Sequence, residues 1–152
     1  MARVDPGPQL ASVKDLLLDT GPMVAYLSAI DPFHQNVGRA IDVFRGTLHT
    51  TSSVVTEAMH FLSATDRGPE LLGLFLAGSG ARVHDLCQPD EVLQAADLML
   101  RYADTPMDFA DANLLQLADR VGVRAIMTLD RRGFSTFRTP HGAFLEMVDV
   151  FG

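Results

Sequence analysis

Short apolar runs alternate with amphipathic stretches along the chain, and that alternation predicts a layered α/β architecture. Leu16-Leu17-Leu18 is a continuous apolar run of the kind a strand buried on both faces shows. It ends at Asp19-Thr20-Gly21-Pro22, where Gly and Pro break the strand and Pro is preset to open a helix. Val37, Ala40, Ile41 and Phe44 recur at helical spacing until Gly46. Residues 47–52 are β-prone and lead into a helix over 53–64, and a further helix is expected over 69–77. A strand over 81–86 follows. The helix over 89–103 opens on Pro89, Asp90 and Glu91, a favourable first turn, with Leu93, Ala96, Leu100 and Ala103 along one side. The helix over 109–121 carries Ala110, Leu114, Leu117, Ala118 and Val121 as its apolar stripe and is closed by Gly122. Strands over 123–129 and 144–150 complete the pattern. Strands separated by helices require parallel crossovers, hence a central parallel sheet covered on both faces, a three-layer α/β/α sandwich.

Composition narrows the class. With 152 residues and 47% hydrophobic content, the chain suits one globular domain over 15–152, preceded by a flexible lead over 1–14 that carries Pro6, Gly7 and Pro8. Cys87 is the single cysteine, which excludes an internal disulfide framework and a cysteine zinc site and fits a reducing cytoplasm. No apolar run reaches the roughly 20 residues a membrane span needs. The net charge of −7 opposes broad electrostatic binding of nucleic acid.

Candidate chemistry lies in acids at element ends. In open parallel sheets, ligands bind beyond the carboxyl ends of the strands. Asp19 and Asp130 each stand just past an expected strand, and Asp108 and Asp111 open a helix. Glu57 shares a helix face with Val54 and Phe61, where an unpaired carboxylate is unfavourable. Lysine cannot be its general partner, because Lys14 is the only one in the chain. Each acid also has a local reading. Asp19 and Asp130 suit turns, Asp108 suits a helix cap, and Asp111 answers the helix dipole. Glu57 could be a solvent-facing helix residue; a capping box there fails, since position 54 is Val. The joint placement carries the argument. Carboxylates meeting in one crevice need a cation, and oxygen-only ligation selects Mg²⁺, or Mn²⁺ in its place. Such ions hold phosphodiesters and raise the acidity of water. His34, His49, His60, His84 and His141 show no ligand spacing.

Four blocks then carry a resemblance. Leu16-Leu17-Leu18-Asp19-Thr20-Gly21-Pro22, Val54-Val55-Thr56-Glu57, Asp108-Phe109-Ala110-Asp111-Ala112 and Ile126-Met127-Thr128-Leu129-Asp130-Arg131-Arg132-Gly133-Phe134 stand in the order seen in PIN-domain proteins. The chain resembles the VapC type of that family from about residue 16 to residue 137. The resemblance implies a PIN-like α/β/α domain and a metal-dependent endoribonuclease leaving 5′-phosphate and 3′-hydroxyl ends. It further implies a homodimer, inhibited by a cognate antitoxin. It makes Asp19, Glu57, Asp111 and Asp130 the metal-binding acids, Asp108 an additional acid used in some relatives, and Thr128 a polar support. Arg131 and Arg132, with Arg138, Arg120 and Arg124, would form a basic rim for RNA phosphates, or else a solvated surface or a contact for an acidic antitoxin segment. Gly133 departs from the family pattern, where many relatives carry a second acid. That departure keeps open a catalytically weak or inactive PIN-like module that binds RNA or protein. Phosphotransfer domains also place an Asp after the first strand, but they want a second acid where Gly21 stands, or a later lysine that this chain lacks.

Overall fold

The computed structural model describes residues 9–151. Five strands form one wholly parallel sheet: β1 (Asp15–Leu18), β2 (Thr47–Thr51), β3 (Arg82–His84), β4 (Ala125–Met127) and β5 (Glu146–Met147), in the order β3-β2-β1-β4-β5. Among the described residues seven α-helices flank it: α1 (Thr20–Leu27), α2 (His34–Val43), α3 (Ser52–Leu62), α4 (Gly68–Ser79), α5 (Pro89–Arg101), α6 (Phe109–Val121) and α7 (Arg131–Thr136). The expected three-layer PIN-like sandwich is the observed fold.

The strand order locates the site. From β1 the chain steps outward to β2 and β3 in one direction, then returns across the sheet to β4 on the other side of β1. Right-handed crossovers put the helices of those two journeys on opposite faces. Accordingly α1 packs on α2, α3 and α4, while α5 packs on α6. β1 and β4 are the neighbours from which the chain departs in opposite directions, and a crevice opens beyond their carboxyl ends. Leu17 pairs with Ile126 and Leu18 with Met127, and the Asp19 amide still donates to the Met127 carbonyl at 3.1 Å. The first residue after β1 is thus fixed beside the end of β4.

Leu16, Leu17, Leu18, Ile126 and Met127 are all fully buried, as a central pair of parallel strands requires. α6 is sunk deeper than its expected stripe. Ala112, Asn113, Leu115 and Gln116 are buried in addition to Ala110, Leu114, Leu117 and Ala118 of that stripe, and Val121 is partly buried. α5 presents a different face from the one expected. Leu93 and Leu100 are exposed, and Ala95 and Leu98 enter the core. The helix carries apolar residues on more than one face, so periodicity alone could not choose between them. The strand expected over 144–150 pairs only at Glu146–Met147, because Phe144 turns away into an antiparallel bridge with Arg138.

Of the flexible lead expected over 1–14, residues 1–8 lie outside the described residues. Leu10–Ser12 form a 3₁₀ turn, and Leu10 and Val13 pack against the core, so the ordered chain begins before residue 15. Among the described residues, no helix is long and apolar enough to cross a membrane.

Candidate active site

Local sequence sets each acid in place. Asp19 is the N-cap of α1: its backbone is extended, and its Oδ1 accepts from the Thr20 amide at 2.8 Å. Its Oδ2 accepts from the Thr128 hydroxyl at 2.8 Å. Asp130 caps α7, with Oδ1 accepting from the Gly133 amide at 3.0 Å. Asp108 and Asp111 form a reciprocal capping box on α6. Asp108 Oδ1 accepts the Asp111 amide at 2.8 Å, and Asp111 Oδ2 accepts the Asp108 amide at 3.1 Å. Glu57 takes no part in a cap, since Thr51 caps α3 through the Val54 amide.

These acids meet. Asp19, Glu57, Asp108, Asp111 and Asp130 all line one cleft of about 650 Å³, with Val24, Phe33, Phe61 and Leu129 among its apolar walls. Two strand ends and two helices from distant parts of the chain therefore contribute to a single crevice. The expectation that Glu57 interrupts a buried apolar stripe needs correction. Val54 is buried, but Phe61 is 58% exposed, so Glu57 stands where the helix leaves the core and faces the cleft.

Burial, with like charges nearby, makes three of these acids, Asp19, Glu57 and Asp111, hold their protons more tightly. Burial pushes Asp19 up to about 6, with the charges of Asp108 and Asp130 adding to the rise and the bonds from Thr128 and Thr20 opposing it. Burial and the neighbouring Asp108 push Asp111 up to about 8. Glu57 is raised by burial, then by Asp108. Ionising Asp19, Glu57 and Asp111 as well calls for a counter-charge.

The donor chemistry fits a hard divalent ion. All the donors are oxygens, the acids repel each other, and the buried Thr20 hydroxyl beside them makes no hydrogen bond of normal geometry. As the side chains stand, Asp19, Asp108, Asp111 and Asp130 each accept a neighbouring amide, and Glu57 does not. Among the described residues no three His, Cys, Asp or Glu side chains are gathered to hold a metal ion.

Gly133 has a steric reason. A Cβ there would lie against Asp130 Oδ2 and 2.9 Å from both Asp130 Cγ and Phe137 Cε2. The Asp130 carboxylate occupies the space a side chain at 133 would fill.

The basic rim is smaller than expected. Arg120 pairs with Glu91, and Arg124 with Asp119 at 3.2 Å, while Arg138 stacks 4.4 Å from the centroid of the Phe144 ring. Arg131 and Arg132 are exposed at the start of α7, directly after Asp130. Sequence reasoning missed Thr20. It also missed a buried amide relay: Ser53 donates to Asn113 Oδ1 at 2.7 Å, and Asn113 Nδ2 donates to Gln116 at 2.9 Å. Gln116 in turn reaches the Glu91 carbonyl and Gln94. The only signal for it was two amides on the apolar helix 109–121.

Comparison with known proteins bears on the family and the fold. The chain is 38% identical over 135 residues to Ribonuclease VapC26 of Mycobacterium tuberculosis, covering 88% of this chain and 99% of that protein. Its fold is similar to that of VapC20 from the same organism, a sarcin–ricin loop cleaving toxin. The TM-score is 0.71 at 18% identity, over 80% of this chain and 95% of that one. It is also similar to VapBC2 of Rickettsia felis bound to a promoter DNA fragment, with a TM-score of 0.60 at 17% identity, over 89% and 99% of the two chains. FitAcB of Neisseria gonorrhoeae matches with a TM-score of 0.58 at 16% identity, over 90% and 98%. No protein-family model matches the chain. By its sequence likeness to a named ribonuclease over nearly its whole length, and by its fold, the chain belongs to the VapC family of toxin ribonucleases.

Proposed function

We propose that this ribonuclease is an Mg²⁺-dependent endoribonuclease, with Mn²⁺ as a substitute, and that Asp19, Glu57, Asp111 and Asp130 form its ion-binding and catalytic centre. The reading rests on one observation: four carboxylates from separate elements line a single cleft at the point where the sheet reverses direction. A divalent ion bound there would neutralise the acids, hold the scissile phosphate and make water a better nucleophile. Asp19 and Asp111 would hold the ion, and Glu57 and Asp130 would orient the attacking water for in-line displacement. Thr128 fixes the orientation of Asp19. Asp108 supports the site by presenting Asp111, and Arg131 and Arg132 contact RNA phosphates from the rim.

The protein acts in the cytoplasm as the toxin of a toxin–antitoxin pair, as a homodimer whose activity a cognate antitoxin blocks. Support for the antitoxin comes from solved relatives in which a toxin of this fold stands with its antitoxin, VapBC2 and FitAB.

Calorimetric titration with Mn²⁺ at pH 8 tests the ion site. The wild type binds with a saturable heat, and folded Asp111→Asn loses it. Equal binding by both proteins rules Asp111 out as a ligand.

A further inference from the structure

A second cavity of about 840 Å³ adjoins the carboxylate cleft, and Glu57, Phe61 and Asp108 line both. Phe61 stands at their shared border, 58% exposed, an aromatic face that the core does not use. Phe109, next to Asp108 at the start of α6, lines the second cavity as well. Apart from the two shared acids, the lining is neutral or apolar, unlike the acidic cleft beside it.

The hydroxyls in this cavity are directional. Ser52 donates to Asp85 at 3.2 Å, Ser53 to Asn113 at 2.7 Å, and Thr56 to the Ser52 carbonyl at 2.8 Å. With their hydrogens committed to these acceptors, the Ser52 and Thr56 oxygens offer lone pairs to whatever enters, while the Ser53 oxygen is already paired with the Thr51 hydroxyl at 3.0 Å. A neutral flat ring with hydrogen-bond donors on its edge satisfies both features, by stacking on an aromatic and by donating to hydroxyl oxygens.

We infer that this cavity is a base-binding subsite, in which an unpaired nucleobase next to the scissile phosphate stacks on Phe61. The inference rests on the carboxylate cleft being the place where the phosphate reacts. Continuity of the two cavities then leads the strand from the acids into the neutral cavity. Stacking also supplies affinity that the acidic surface cannot, since few cations are free to hold the backbone. A paired base could not enter, because its donor edge and both its faces are already covered.

The test is fluorescence titration with a single-stranded hexaribonucleotide carrying one 2-aminopurine, with Ca²⁺ in place of Mg²⁺ and the RNA checked as intact afterwards. Wild type should change the 2-aminopurine emission on saturation. Phe61→Ala should bind about tenfold more weakly, and Phe61→Tyr should restore affinity, because one base–aromatic stack contributes on that scale. The same proteins are heated with and without Mn²⁺, which reports the carboxylate site independently. An Mn²⁺ shift equal to wild type, with RNA binding by Phe61→Ala unchanged, would overturn the subsite alone and leave a peptide as the better occupant. Loss of the Mn²⁺ shift in wild type would remove the cleft reading on which the subsite depends.

Discussion

The Thr128 hydroxyl donates to Asp19 Oδ2 at 2.8 Å and at the same time accepts the Asp130 amide at 3.0 Å, tying together the ends of β1 and β4. Thr128, only 3% exposed, therefore orients the Asp19 carboxylate and holds the Asp130 backbone beside it. It also opposes the rise that burial imposes on Asp19.

Replacing this group separates its roles. Thr128→Val should destabilise the protein by about 2 kcal/mol, since it strands a buried carboxylate oxygen and an amide. It should also raise the Asp19 pKa further and weaken Mn²⁺ binding. Thr128→Ser should behave like the wild type. Urea denaturation and calorimetry read the two effects separately.

Asp111→Asn should stabilise the metal-free protein at pH 8. The substitution removes a repelled charge while Asn can still accept the Asp108 amide. A gain of about 1 to 2 kcal/mol is expected once partial exposure is discounted. Thermal unfolding in EDTA measures it, and no gain would mean that the acids are not in mutual repulsion.

The metal-free protein should lose stability as pH rises from 5.5 to 8. Asp19 moves from its ordinary 3.8 to about 6, and Asp111 from 3.8 to about 8. An acid with a raised pKa binds its proton more tightly in the folded state, so the native state holds more protons across that range. Stability from these groups is complete below about 4. It declines through 6 for Asp19 and through 8 for Asp111. Mn²⁺ binding, which needs the acids ionised, should strengthen over the same interval. Urea midpoints at several pH values, with and without Mn²⁺, should therefore diverge as pH increases.

Gly133→Ala should be destabilising by about 1 to 3 kcal/mol. The new Cβ displaces the Asp130 carboxylate and presses on Phe137, which is fully buried between Tyr102 and Phe134. RNA cleavage should fall with it, through loss of the Asp130 position. Activity and urea stability equal to wild type would show that Asp130 does not need its observed placement.

Much of this was legible in the chain. The run Leu16-Leu17-Leu18 could only be a buried central strand, and Asp19 had to stand at its end. The order of five strands, one of them reached by a return crossover, is what brings Asp130 beside Asp19. The alternation of elements specified parallel strands but not that order. Phe61 read as core because helical periodicity identifies a shared face without saying which end of it opens to solvent. Leu93 and Leu100 were misplaced for a related reason: apolar residues lie on more than one face of α5, and only packing on α6 selects Ala95 and Leu98. Arg120 and Arg124 looked like a basic rim because their acidic partners are not visible as partners in the sequence. Glu91 lies on another helix, and Asp119 pairs only once the chain turns after α6.

Cleavage of an RNA pool by purified protein is the most direct measurement of the central claim. Wild type with Mg²⁺ should generate fragments with 5′-phosphate ends, and EDTA should stop it. Asp19→Asn and Asp111→Asn, shown to be folded by circular dichroism, should be slower by about two orders of magnitude or more. Cleavage by either variant at the wild-type rate, or by wild type undiminished in EDTA, would contradict the account.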